Sequence, residues 1–202
     1  MKTLLIALLL ALGISAQAQY FDVSINPVST ILGEGDFGGE YPFNENLGIE
    51  LRLQPYYGHS YVLFNFRDFQ GKQSGFGEKL SLKYYPIPYN GSDRIYVGLY
   101  TKNTSIVISK EYTSSTVPPV SGLVKTDRIK SLDLGVIFGY KRAFSSRFIF
   151  EVGFGFGGKL IDKEIITPDP NDPHYYKESD DDFNIPFAFT GSFSLGYRFG
   201  EF

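Results

Sequence analysis

From Ile185 onward the chain alternates: Phe187, Phe189, Phe193, Leu195, Tyr197 and Phe199 hold one phase, and Ala188, Thr190, Ser192, Ser194, Gly196 and Arg198 the other. A period of two over that length specifies a β-strand, because successive strand side chains point to opposite faces. The pattern recurs where Phe148, Phe150, Val152, Phe154 and Phe156 oppose Glu151, Gly153, Gly155, Gly157 and Lys159. Just before it, Leu132, Leu134, Val136, Phe138 and Tyr140 oppose Asp133, Gly135, Gly139 and Lys141, with Ile137 alone out of phase. The connector Phe144-Ser145-Ser146-Arg147 makes these two segments a tight hairpin.

Toward the N-terminus, Ile95, Val97 and Leu99 oppose Tyr96, Gly98 and Tyr100, and Leu80, Leu82 and Tyr84 oppose Ser81, Lys83 and Tyr85. Asn90-Gly91 between them is a turn signal. Leu47, Ile49, Leu51 and Leu53 oppose Gly48, Glu50, Arg52 and Gln54, after the turn Asn44-Glu45-Asn46 and a short strand with Phe37, Tyr41 and Phe43. A first strand is placed at residues 22–32, with Pro27 at a rim or bulge. The count is then eight. Short turns fall near residues 43–47, 86–94 and 143–147. Apart from the brief connection at 33–36, the alternate connections are expected to be long, at about 57–76, 103–126 and 161–184.

The polar phase decides which way such a sheet faces. A water-facing surface carries Lys, Glu, Thr and Gln, whereas this phase is dominated by small residues such as Gly98, Gly135, Gly139, Gly153, Gly155, Ser192 and Ser194. Small residues suit the interior of an eight-stranded barrel, which is only just wide enough for side chains to fill. The few long residues on that phase are charged and nearly balanced. Glu40, Glu50, Asp133 and Glu151 are expected to face Arg52, Lys83, Lys141, Lys159 and Arg198 across a plugged lumen. The apolar phase would then face lipid, with Tyr41, Tyr84, Tyr140 and Tyr197 near the strand ends as an aromatic girdle. On this reading Val152→Arg impairs assembly far more than Gly153→Ser, and Glu151 and Lys83 are a trial pair for charge coupling.

With these strands and the Ile25-Asn26-Pro27 near the start, the chain resembles the small outer-membrane barrels of the OmpA/OmpX type, including families of unknown function. The resemblance implies an all-β fold: an eight-stranded antiparallel transmembrane β-barrel with short periplasmic turns and longer extracellular loops, located in a bacterial outer membrane. Its implied partners are outer-membrane lipid, the barrel-assembly machinery and an extracellular ligand met through the long loops. The C-terminal run Leu195-Gly196-Tyr197-Arg198-Phe199-Gly200-Glu201-Phe202 resembles the assembly signal of such proteins, although Phe202 is out of phase with Phe199.

The start of the chain agrees with export. Lys2, an apolar run at residues 4–12 and Ala16-Gln17-Ala18 are expected to form a signal peptide over residues 1–18, leaving a barrel domain at 19–202. The sequence has no cysteine, which removes disulfides, thiolate metal sites and catalytic thiols. A net charge of -3 without a basic tract gives nucleic acid no footprint.

Three motifs invite other readings. Gly153-Phe154-Gly155-Phe156-Gly157-Gly158-Lys159 resembles a phosphate loop, but Leu160 stands where Ser or Thr is required and strand alternation runs through the glycines. The carboxylates of residues 162–182, with His174, fit no calcium-loop spacing. Ser60 beside His59 would point to the opposite face of a strand, which argues against proton transfer between them. No catalytic, cofactor or metal residue is therefore assigned. The expected role is non-enzymatic, structural or surface-interacting, with Tyr61, Phe64, Phe66 and Phe69 as an aromatic cluster in the connection at about 57–76. The alternatives are an outer-membrane lipid-modifying enzyme and a soluble lipocalin-like periplasmic binding barrel.

Overall fold

In the computed structural model, which describes residues 20–31, 33–59, 72–89, 92–113, 121–144, 147–167 and 187–200, eight antiparallel strands close into a barrel in chain order. They are β1 (Tyr20–Ile25), β2 (Phe37–Pro42), β3 (Leu47–His59), β4 (Lys72–Tyr84), β5 (Arg94–Thr113), β6 (Ser121–Phe144), β7 (Phe148–Thr167) and β8 (Phe187–Gly200). Closure comes from β1 pairing β8, with Asp22 opposite Arg198 and Ile25 opposite Leu195. A closed sheet leaves no unpaired edge. The expected signal peptide, Asn90-Gly91, the aromatic cluster of residues 61–69, Ser60, His174 and Phe202 lie outside the described residues.

The strand at residues 22–32 stops at Ile25, and Pro27–Ile31 form a short helix, α1. Asn26 caps that helix: its Oδ1 accepts hydrogen bonds from the amides of Val28 at 3.1 Å and Ser29 at 3.2 Å. Pro27 takes the first helical position, where its missing N–H costs nothing. The proline signalled a change of element, not a bulge. The same connection then folds back on β3, where Gly35 donates to the carbonyl of Pro55 and Tyr57 donates to that of Gly33. Since β2 already ends its pairing at Leu53, the ring nitrogen of Pro55 faces this connection and breaks no ladder.

The long connections are shorter than expected. β5 and β6 pair as far as Thr113 opposite Ser121, so most of residues 103–126 is hairpin, and β7 continues to Thr167. β3 likewise runs to His59, and β4 begins at Lys72. The tall wall of β5, β6 and β7 stands opposite the low wall of β1 and β2, whose strands have six residues each.

Register explains the two phases. Gly48, Glu50, Arg52 and Gln54 pair with Lys83, Ser81, Lys79 and Gly77, and these in turn with Gly98, Tyr100, Lys102 and Thr104, so one phase points inward around the barrel. Ile137, the residue that breaks the alternation, is on the inward phase and packs with Tyr85, Tyr96 and Tyr100 as a small apolar core inside the lumen. The run Gly153–Lys159 is continuous strand within β7, with no loop or helix at its glycines. A Cβ at Gly139 or at Gly153 would come within 2.5 Å of the Tyr96 hydroxyl, so these two glycines make room for that ring. Gly153→Ser is accordingly not the mild change that the sequence pattern implied.

At the end carrying the short turns, the connections lock to one another. Asn44 Oδ1 accepts from the amides of Asn46 and Leu47, Asn46 Nδ2 donates to the carbonyl of Tyr85, and the Ser92 amide donates to the Tyr20 hydroxyl. Tyr41, Tyr84, Tyr140 and Tyr197 all lie toward this end on the outward phase.

Candidate functional site

The inward phase carries one connected ion-pair chain that crosses the barrel. Near the short-turn end, Arg198 makes a two-pronged contact with Asp22, its Nε 2.6 Å from Oδ1 and its Nη2 2.8 Å from Oδ2. Such fork geometry is a property of guanidinium and gives the pair direction as well as energy. Lys141 sits 2.6 Å from Asp22 Oδ2 and 2.9 Å from Glu40 Oε1, carrying the chain from β1 to β2 across the lumen.

Lys83 stands at the centre. Its Nζ lies 2.7 Å from Glu151, 2.9 Å from Glu40 and 3.2 Å from Glu50, which come from β7, β2 and β3. Tyr96 donates to Glu151 and Tyr85 to Glu40, each at 2.7 Å, and the ammonium also lies 4.7 Å from the Tyr96 ring centroid. Toward the other end, Arg52 reaches Asp36 through Nε at 2.7 Å and Glu50 through Nη1 at 3.0 Å, while Asn26 holds the second oxygen of Asp36. The carboxylates Asp22, Asp36, Glu40, Glu50 and Glu151 thus meet Arg52, Lys83, Lys141 and Arg198. Lys79, buried and register-paired with Arg52, supplies the fifth cation.

Every one of these groups has left water. Arg52 and Lys83 are 0% exposed, against 80% for Phe189 on the outward phase. Ions buried this way must be repaid by close opposite charge and by hydrogen bonds to their remaining atoms. The network meets that demand in most places, although Arg52 Nη2, Glu50 Oε2, Gln54 Oε1, Ser81 Oγ, Tyr100 OH and Ser194 Oγ have no hydrogen-bond partner among the described residues.

The carboxylate oxygens of Glu40, Glu50 and Glu151 lie within 4.8 Å of one another, a donor set of the kind that holds a divalent cation. The Lys83 ammonium is within 3.2 Å of all three and fills that electrostatic role itself. The arrangement therefore works as a lock. Its hydroxyls donate to carboxylates that are already engaged by cations.

Of the residues expected in the lumen, Glu40, Glu50, Arg52, Lys83, Lys141, Glu151 and Arg198 join the chain, and the trial pair Glu151 and Lys83 are direct partners. Asp133 is buried, one rung from Tyr100 and opposite Lys102. Lys159 is exposed and lies opposite Asp133, where the β6–β7 register shifts between Leu132 and Asp133. The charges not anticipated are Asp22, Asp36 and Lys79. Asp22 and Lys79 share the inward phase of their strands and could have been read from it, whereas Asp36 stood in an assumed turn. His59 lies in the backbone of β3.

Neither protein-family models nor curated proteins give a match to the sequence.

Proposed function

We propose that this chain is an outer-membrane β-barrel whose lumen is sealed by ion pairs, and that it serves a non-enzymatic structural or surface-interaction role. The observation that carries the reading is the inverted distribution of polarity: the charges are buried inside, and Leu, Val and Phe cover the outside of the strands. Phe148, Ile95, Phe187 and Phe189 are each more than 60% exposed, and Leu99, Phe154, Phe156 and Phe199 more than 50%. In water such a surface would be an extended aggregation site, whereas in hydrocarbon it is the low-energy face.

The dimensions agree. From Phe187 to Phe199 the outward phase of β8 is apolar but for Gly191, about 40 Å along the strand and about 30 Å along the axis at a usual tilt, close to the roughly 25 Å band of membrane barrels. The tyrosines at the short-turn end take the place of an interfacial girdle, with that end toward the periplasm. No described helix is long and apolar enough to cross a membrane, so strands would do the crossing. A lipocalin-like binding barrel would need its apolar phase inside, where this chain has Arg52, Lys83 and Glu151. Bulky buried side chains across the lumen, among them Arg52, Arg198, Tyr85 and Tyr96, support a closed plug in preference to a pore.

The test is fractionation of cells expressing the protein, followed by gel electrophoresis of boiled and unboiled samples. Recovery in outer membranes with heat-dependent mobility is the expected result. Carbonate-soluble protein with one mobility would overturn the reading.

A further inference from the structure

The low wall of β1 and β2 leaves its two taller neighbours in different states. β1 pairs β8 only from Gly200 to Leu195, and beyond Ile25 the chain turns into α1. From Phe187 to Ser194, β8 therefore has β7 on one side and, among the described residues, no strand on the other. On the opposite flank β3 also outruns β2, but its edge is covered. Pro55 has no amide, its carbonyl accepts from Gly35, and Tyr57 donates to the carbonyl of Gly33. α1 packs beside β8, yet a helix turns its main-chain groups along its own axis and cannot pair a strand edge.

Register tells which main-chain groups of β8 face this notch. Arg198 donates its amide to the carbonyl of Arg147, on the β7 side. That direction alternates along an antiparallel strand, and the β7–β8 register runs without a shift. Phe187, Phe189, Gly191 and Phe193 accordingly turn both amide and carbonyl away from β7. Their flank is open: Phe189 is 80% exposed against 37% for Phe193, and a Cβ at Gly191 would meet nothing within 4 Å. Unpaired amides and carbonyls are costly in hydrocarbon, and a further strand satisfies them.

We propose that the notch beside Phe187–Ser194 is a strand-addition site for an extended segment of another protein. The segment would carry apolar residues on its lipid side, level with Phe187 and Phe189, and small polar residues toward Thr190 and Ser192 on the lumen phase. A second copy of this chain does not fit. Two barrels inserted the same way meet with facing strands tilted in opposite senses, so at a tilt of about 35–45° their β8 edges cross at roughly twice that angle and do not pair. A lone segment has no such constraint, and takes the line that β1 would follow past Ile25. The site rests on the membrane reading, which supplies the apolar surroundings, and it names the class of partner for the surface-interaction role.

The experiment refolds the barrel into phosphatidylcholine vesicles and titrates it with a fluorescent peptide of alternating valine and threonine, roughly eight residues long, the span of an ordinary strand. Protein-free vesicles give the background. The comparison is the same peptide with all its amides N-methylated, which keeps the side chains and removes the main-chain donors. Wild type is expected to bind the unmodified peptide at least about tenfold more tightly, the factor that roughly two main-chain hydrogen bonds supply. Gly191→Pro removes an amide that faces the notch and breaks no bond to β7, and should abolish the difference between the peptides. Gly191→Ala keeps the amide and should bind like wild type.

Equal binding of the two peptides by wild type overturns the site, because only apolar association would remain. Undiminished binding by Gly191→Pro overturns it as well. Peptide binding that falls as the barrel is concentrated in the bilayer would place a second copy on the edge and overturn the choice of partner. No peptide binding by inserted barrel overturns the site and leaves the membrane reading standing, whereas failure of wild type to enter any vesicle overturns both. If Gly191→Pro does not insert, Phe189→Pro, which removes the next amide on the same edge, decides the matter.

Discussion

Lys83→Met tests the lumen network at its most charged point. The substitution removes the one cation that touches Glu40, Glu50 and Glu151 together, and leaves three buried carboxylates within 4.8 Å of each other. Breaking a buried pair by deleting one partner costs about 3–5 kcal/mol. Glu151 loses the cation it touches, while Glu40 keeps Lys141 and Glu50 keeps Arg52, which places this variant within that range. Glu151→Gln is different, because Lys83 keeps Glu40 and Glu50, and Gln can still accept the hydrogen bond from Tyr96, so its expected cost is about 1–2 kcal/mol. In the double variant one repelling carboxylate is gone, and the two changes should be less harmful together than their sum by about 1–3 kcal/mol. Equilibrium unfolding in urea of protein refolded into vesicles measures all three at neutral pH. A Lys83→Met variant within about 0.5 kcal/mol of wild type, or strict additivity of the two changes, would refute the reasoning.

Three other expectations follow from named contacts. Gly153→Ser should destabilise by about 1–3 kcal/mol through overpacking against the Tyr96 hydroxyl, and Tyr96→Phe should recover part of that loss, which thermal unfolding of the single and double variants would reveal. Val152→Arg, one residue away on the outward phase, should cost about 2–4 kcal/mol if it sits at the bilayer midplane and should lower refolding yield into vesicles, whereas an unchanged yield would argue that Val152 does not face lipid. Glu34, half-buried in the connection before β2, has its carboxyl pushed above the usual glutamate range by burial and by Asp36, against the opposing pull of Lys102. A raised acid favours the folded state at low pH, an advantage lost as pH rises through its folded value. Glu34→Gln should therefore stabilise the barrel at neutral pH and not below the ordinary glutamate range, as unfolding midpoints at the two pH values would record.

How much of this was legible depended on whether a strand separates two unlike environments. Along β7 and β8 the contrast between Phe and Gly or Ser made both strand and phase readable, and the phase carried Glu151 and Arg198 to the lumen. Beyond the apolar band that contrast fades. In Asn103-Thr104-Ser105-Ile106-Val107-Ile108 no phase alternates cleanly, and only the β-branched composition hinted that β5 goes on. A loop was expected there for that reason. Proline was misread at residue 27 because the cap of α1 needs Asn26 and Pro27 together, a signal four residues long. Ile137 broke the pattern for a packing reason: the lumen contains a patch of tyrosine rings, and an apolar side chain belongs beside them. The partners of Lys83 required register, since Glu151 is 68 residues away in sequence.

The central claim, that the Phe-bearing phase faces lipid and the charged phase faces a sealed lumen, can be measured along β7. The chain has no cysteine, so one introduced at each of Val152, Gly153, Phe154, Gly155 and Phe156 in turn is unique and can carry an environment-sensitive fluorophore, with unlabelled cysteine variants checked for folding first. After refolding into vesicles containing brominated lipid, strong quenching is expected at 152, 154 and 156. Labels at 153 and 155 should either react poorly in the folded barrel or escape quenching. Equal quenching at all five positions, or none at any of them in folded protein, would contradict the inside-out barrel.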